Sequence, residues 1–361
     1  MHMADALLAP SVATTMYVAS AAAAGVSIAK LRKEEKVTVD LGTPSKLPVM
    51  AVMAALVFAG QMINYTIPGT GSSGHMCGGM MLAGLLGPFA AFLSMIVILA
   101  IQCLFFADGG LMALGANCWN MAFYGCFVGY FLIYRPIMKG NLFSGRGTKA
   151  ANRARIILAS ILGCVVTLQL GAFSVVLETQ LSGITDLPFG AFCALMQPIH
   201  LAIGLIEGVI TAAVLVFVYE TRPELIKEVQ MDDTIKDKMS FKGVIATLAV
   251  VVLVVGGGLS LYASSNPDGL EWTLFGNADG GYSSNMALDE EDYGVQSSTA
   301  EKAGEIQEKT AFLPDYAFAN DEDNSLGTTV SGIVGSALVA LFAAAVCLIG
   351  GFFKRKARSK E

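Results

Sequence analysis

The sequence predicts an all-α polytopic membrane protein of about nine transmembrane helices: a seven-helix core followed by a two-helix accessory module with an external loop. Three observations carry this expectation. Only 14% of the 361 residues are charged while 54% are hydrophobic, too little polarity to cover a water-facing surface. Eight apolar runs approach or exceed bilayer length, at residues 7–29, 47–64, 78–106, 111–134, 156–177, 191–219, 244–262 and 328–353. Lysine and arginine gather in the short polar segments between particular runs, as they do in cytoplasmic loops.

Taken in order, the runs need one adjustment. Lys30, Arg32, Lys33, Lys36 and Lys46 follow the first run, so the N-terminus is expected outside. Arg135, Lys139, Arg146, Lys149, Arg153 and Arg155 follow the fourth and are also expected inside, which requires an even number of crossings between the two loops. Three single passes would be odd. The third run, residues 78–106, would measure about 43 Å as one helix against a hydrocarbon core of about 30 Å. It is punctuated by Gly87-Pro88, which breaks a helix. Dividing it there gives four crossings and nine helices. Lys227, Lys236, Lys238 and Lys242 then fall inside after the seventh helix, and the terminal Lys354–Lys360 cluster falls inside after the ninth. The domain boundaries expected are 1–220 for the core, 221–240 for a cytoplasmic linker and 241–361 for the accessory module.

Between the eighth and ninth helices, residues 264–327 form the one long polar segment. It holds fourteen acidic residues, Asp289-Glu290-Glu291-Asp292 among them, against Lys302 and Lys309. This external loop reads either as solvated linker or as a surface that collects cations. No nucleic-acid partner is expected.

Chemistry concentrates in three histidines. A free Met1 amine followed by His2 is a chelator: the amine, the His2 amide nitrogen and the His2 ring nitrogen can wrap one ion in two fused rings. His75, in the glycine-rich stretch 68–79, would close a square of four nitrogens, and the crossing count places it on the same face as His2. Such squares suit Ni(II) or Cu(II), whereas Zn(II) prefers a tetrahedron. Binding would displace protons, so affinity should fall with acid. Asn117 and Asn120 share one helical face and, with Ser73, are placed to support a ligand imidazole from behind or to join helices. His200 and Glu207 share a face of the seventh helix as a gating relay or a packing anchor. The seven cysteines form no CxxC pair and read as small core residues, although Cys77 and the Met76, Met80, Met81 group leave a copper-handling protein open. No nucleophile–base pair appears, and residues 140–148 imitate a phosphate loop with no preceding strand. The chain is not expected to be an enzyme.

These residues carry a resemblance. Met1-His2-Met3-Ala4-Asp5-Ala6-Leu7-Leu8-Ala9-Pro10, Gly74-His75, Leu85-Leu86-Gly87-Pro88, the stretch from Asp108 to Asn117, and Leu205-Ile206-Glu207-Gly208 resemble the nickel/cobalt substrate-binding component of energy-coupling-factor transporters, of CbiM/NikM type. Asn266-Pro267-Asp268-Gly269-Leu270-Glu271-Trp272 is similar to the PDGLE (CbiN/NikN-like) accessory module. The resemblance implies Ni(II) or Co(II) as transported substrate, none bound permanently, held by Met1, His2 and His75. It implies ATP-binding cassette subunits and a transmembrane coupling (T) subunit as partners, in a prokaryotic inner membrane among its lipids. Some relatives carry histidine at the position of Asp108. A membrane scaffold with a cleaved signal peptide at residues 21–24 is the rival from another class, although the first run has no basic segment before it.

Overall fold

Helices form along the apolar runs because backbone in lipid has to satisfy its own N–H and C=O groups. The computed structural model describes residues 1–40, 47–140, 148–185, 187–229, 239–278, 280–281, 286, 297–318 and 325–358. An irregular N-terminal segment with one 3₁₀ turn (Asp5–Leu7) leads into α1 (Pro10–Asp40). Then follow α2 (Leu47–Gln61), a hairpin of β1 (Tyr65–Ile67) and β2 (Ser72–Gly74), α3 (Gly79–Leu86), α4 (Pro88–Phe106), α5 (Leu114–Lys139), α6 (Lys149–Ser182) and α7 (Phe189–Thr221). The C-terminal part supplies α8 (Phe241–Gly257), α9 (Gly269–Phe275), α10 (Ser298–Thr310) and α11 (Ser325–Arg358). Among the described residues, seven helices are long and apolar enough to cross a membrane: α1, α4 to α8 and α11. Val18, Leu132, Val209, Leu253 and Leu341 are exposed on these helices, a pattern suited to lipid tails rather than water.

The expected division of the third run falls at Gly87. Its backbone (φ 84°, ψ 164°) suits glycine, and Pro88 starts α4. The half before it is shorter than a full crossing. Helix α3 has eight residues, about 12 Å, and the rest of that traverse, from His75 to Gly78, is not helical. Helix α2 has fifteen residues, about 22 Å, and is short as well. All nine expected segments are present, two of them shortened.

Polar side chains replace the missing helix. Cys77 and Gly78 donate their N–H groups to the two carboxylate oxygens of Glu207 on α7, at 2.7 and 2.9 Å, and Gln61 Nε2 donates to the Cys77 carbonyl at 2.8 Å. The glycine-rich stretch was expected as plain loop, yet it contributes β2, paired antiparallel with β1 in the register Tyr65 with Gly74 and Ile67 with Ser72. Gly69 and Gly71, both at positive φ, form the turn.

The two ends of the bundle differ in charge. The N-terminal segment, the hairpin and the α4–α5 turn share one end. At the other, Arg135 and Lys139 pair with Glu228 at 3.2 and 2.9 Å, Lys149 pairs with Glu220 at 2.9 Å, and the Lys227 N–H donates to the Gly84 carbonyl. The 289–292 acidic run, residues 141–147 and Lys236 and Lys238 lie outside the described residues.

Helices α8 and α11 pack on α2 and on each other, with α11 also against α4. Where α8 meets α11 the backbones touch: a Cβ on Gly332 would stand 1.8 Å from the Gly256 carbonyl oxygen. Gly332→Ala is therefore expected to destabilise the detergent-solubilised protein by about 1–3 kcal/mol, seen as a lower thermal midpoint. Gly190→Ala, with nothing within 4 Å of its Cβ, should leave the midpoint in place.

Candidate metal centre

The site begins with the strap of chain ahead of α1. Asn117, at the start of α5, grips the Met3 backbone on both sides, Oδ1 accepting from Met3 N at 2.7 Å and Nδ2 donating to Met3 O at 3.1 Å. The Gly110 N–H adds a bond to the same carbonyl at 2.9 Å. Asp5 Oδ1 accepts from Ala113 N at 2.8 Å. The strap lies so close to the α4–α5 turn that a Cβ on Gly110 would stand 1.8 Å from Asp5 Oδ1. Gly109 and Gly110 leave room for this segment, since a Cβ on Gly109 would stand 3.2 Å from His2 Cβ. Strapped in this way, Met1 is buried and His2 is turned toward His75.

The two imidazoles stack, with ring centroids 5.2 Å apart and planes 21° from parallel. His75 Nδ1 lies 3.1 Å from the Met76 carbonyl; as the donor there, it would leave Nε2 as the lone-pair nitrogen. His2 Nδ1 lies 3.0 Å from Asp108 Oδ1, while His2 Nε2 is buried without a partner among the described residues. The Met1 amine donates to Asp268 Oδ2 at 2.5 Å. Asp268 comes from the accessory module and divides its oxygens. Oδ1 caps α9 by accepting from Leu270 N and Glu271 N at 2.8 and 2.9 Å, which leaves Oδ2 for the amine.

Burial sets the protonation states. It pushes the His75 imidazole down to about 3, helped by the positive charge of the Met1 amine and by His2. Burial also lowers His2, with Asp108 pulling the other way. Burial would lower the Met1 amine too, but the Asp268 carboxylate beside it outweighs that and raises it. Burial opposes ionisation of Asp268 as well, and the charge and hydrogen bond of the Met1 amine overturn this to hold its carboxyl well below the usual range. The result is two neutral imidazoles beside a carboxylate-bound ammonium. Among the described residues no three His, Cys, Asp or Glu side chains cluster as a metal site. A metal held here would need main-chain or terminal nitrogens.

The other residues singled out from sequence are placed as follows. Among the described residues the hydrogen bonds of Asn117 go to the Met3 backbone, and Asn120 Nδ2 donates to Glu178 Oε2 at 2.7 Å and meets Met3 Sδ at 3.5 Å, so both asparagines serve the strap. Ser73 Oγ donates to the Asn266 carbonyl at 2.7 Å and its N–H donates to the Pro267 carbonyl at 2.8 Å, fastening the hairpin to the accessory module. His200 Nδ1 donates to the Met196 carbonyl, and its ring faces Gly269, whose Cβ would stand 3.1 Å from Cε1. Glu207 holds the approach to His75 and does not touch His200. Met76 packs on Gly60, and Met80 is wedged against Gly129 and Gly163, as gap-filling side chains rather than a soft-metal group.

Sequence reasoning missed Asp268 and Asp108 as partners of the site, and with them Gln61, Gln307 and Tyr316. The Tyr316 hydroxyl donates to Asp108 Oδ2 at 2.5 Å, and Gln307 Nε2 donates to the Gly109 carbonyl at 2.7 Å. Asp268 stood inside a quoted motif, but its partner lies 267 residues away, a distance no local pattern signals.

The family described as the cobalt uptake substrate-specific transmembrane region, CbiM, matches residues 2–225, and the PDGLE domain matches residues 242–351. A protein of Archaeoglobus fulgidus that carries the provisional name fused nickel transport protein NikMN is 31% identical over 343 residues, covering 94% of this chain and 95% of that one. The fused nickel transport protein NikMN of Rhodobacter capsulatus is 29% identical over 360 residues, again covering 94% and 95%. A crystal structure of a truncated transition metal transporter, 31% identical, covers 61% of this chain and 99% of its own with a TM-score of 0.49. These relatives are metal transport proteins, not enzymes. Matched over more than half its length, the chain belongs to the CbiM family of substrate-specific transmembrane proteins and carries a PDGLE domain behind the CbiM region.

Proposed function

We propose that this membrane protein is the metal-capturing component of an energy-coupling-factor importer and that its substrate is Ni(II) or Co(II). The ion would be taken by the Met1 amine, the His2 amide nitrogen, His2 Nδ1 and the His75 ring. One observation carries this reading: the terminal amine and two stacked imidazoles, from segments 73 residues apart, converge at one buried place.

The chemistry of the donors fits. The fused rings require the Nδ1 nitrogen of His2, and that atom sits at Asp108, just as the amine sits at Asp268. Each carboxylate thus holds a donor nitrogen that the cation would claim by displacing a proton. The nitrogens would set the preference for a late transition metal, and the carboxylates would favour a cation over any anion.

Uptake against a gradient needs energy that these residues do not supply. ATP-binding cassette subunits and a transmembrane coupling subunit are the partners this reading assigns. The lysine- and arginine-rich end would face the cytoplasm of a prokaryotic inner membrane, with the N-terminus and the PDGLE segment outside. The 1–220, 221–240 and 241–361 division is retained as its domain plan.

Two experiments test the chelate. A single glycine added before Met1 turns the amine into an amide and is expected to abolish Ni(II) and Co(II) binding, while the apo protein still unfolds cooperatively at a lower thermal midpoint, because the amine leaves Asp268. Tight binding by that extended protein, with its mass confirmed, would overturn the mechanism. His75→Ala leaves three nitrogens and should weaken binding at least about tenfold, roughly 1.4 kcal/mol. Calorimetry in detergent giving the unsubstituted affinity would remove His75 from the site.

A further inference from the structure

Above the two imidazoles opens a cavity of about 580 Å³. Five carboxylates line it, Asp5, Asp108, Asp268, Glu271 and Asp315, and no lysine or arginine does. Among the described residues Asp268 alone of these has a permanent cation at hand, the Met1 amine. Asp315 stands on a left-handed backbone turn (φ 52°, ψ 28°) that aspartate tolerates better than most side chains.

The remaining polar wall is arranged to accept hydrogen bonds. Gln61 is 5% exposed; its Nε2 is spent on the Cys77 carbonyl, and its Oε1 has no partner among the described residues. The donors of Gln307 and the hydroxyl of Tyr316 are likewise spent within the protein, on Gly109 and Asp108. A buried acceptor without a donor costs about 1–3 kcal/mol, so Gln61 Oε1 points to a ligand that donates. Glu271 and Asp315 are both raised, by burial first and then by the negative charge of Asp268 and Asp108 respectively, a repulsion that a cation would relieve.

The species that offers positive charge with donors on its outer surface is a metal ion inside its water shell. Six waters at about 30 Å³ each occupy about 180 Å³, well within this cavity but far more than a dehydrated ion needs. We propose that the cavity is an antechamber that holds a fully hydrated divalent cation through outer contacts to Asp315, Glu271, Asp5 and Gln61, before the ion sheds water at the nitrogens below. The sequential role rests on the chelate reading above; binding in the cavity does not.

Hexaamminecobalt(III) separates the two. It carries outward N–H donors and keeps its six ammonias, so it can occupy the antechamber and never the chelate. The full-length protein, in nanodiscs of zwitterionic lipid and at constant ionic strength, is titrated with this probe with and without the N-terminal glycine. Saturable binding of one equivalent to both forms is expected, weakened at least about tenfold by Asp315→Asn. The probe should also slow Ni(II) loading of the unextended protein without changing the final amount bound under excess Ni(II). No saturable binding, binding indifferent to Asp315→Asn, or unslowed loading would each overturn the antechamber. Failure of the chelate shows elsewhere, as tight Ni(II) binding by the extended protein.

Discussion

Irregular backbone inside a helical bundle is the constraint on which the rest of this structure depends. Chain that is not helical cannot satisfy its own N–H and C=O groups, and where it is buried other parts of the protein have to do it. Two such segments meet here, residues 1–9 and the stretch from His75 to Gly78. Asn117 grips Met3 on both sides, Glu207 takes the N–H groups of Cys77 and Gly78, and Gln61 takes the Cys77 carbonyl. Each of these side chains is buried and polar, and each is committed to main chain. These three buried polar side chains thus place two non-helical segments. The imidazoles ride on those segments.

This division of labour explains why α3 is so short. A helix running from residue 73 to 86 would pair the Cys77 and Gly78 amides within itself, to the carbonyls of residues 73 and 74, and carry His75 on a helical face. Ending the helix at Gly79 leaves those amides for Glu207 and allows His75 to lie along the His2 ring. Gly60 and Gly78 make the space, since a Cβ on either would collide with Met76 or Val57. The small hairpin preceding this stretch then presents β2 to the PDGLE segment, through Ser73 and Pro267.

Much of this was legible in the sequence. Apolar length and loop charge gave the helical bundle, and parity located the break at Gly87-Pro88. Met1-His2 and His75 were found by their chemistry, and the structure brings them together. Other features were not legible for a physical reason: they depend on which distant segments touch. Asn117 and Glu207 were recognised as unusual inside helices, but a helix face does not reveal whether its polar group serves a metal ligand, another helix or a strap of main chain. Asp268 was equally visible inside Pro267-Asp268-Gly269, and a local reading could assign it only to its own turn, where it does cap α9. Its second oxygen reaches across the fold. Hairpin β1–β2 was missed because its strands have three residues each, too few to show alternation.

The two carboxylates at the nitrogens approach from opposite sides of the chain. Asp108 belongs to the α4–α5 turn of the CbiM region, and Asp268 to the PDGLE domain. Even Asp108 depends on the accessory module, because its second oxygen is held by Tyr316, while Gln307 fixes the neighbouring Gly109 carbonyl. In the proposed chelate the CbiM region would supply the nitrogens, and the PDGLE domain holds Asp268 and Asp108 beside them. Nitrogen donors discriminate among metals by their softness and geometry, whereas carboxylates at these distances act mainly through charge. With recognition and charge placed on separate segments, a shift of the PDGLE domain would alter the field at the nitrogens without moving the strap, which Asn117 holds from the other side.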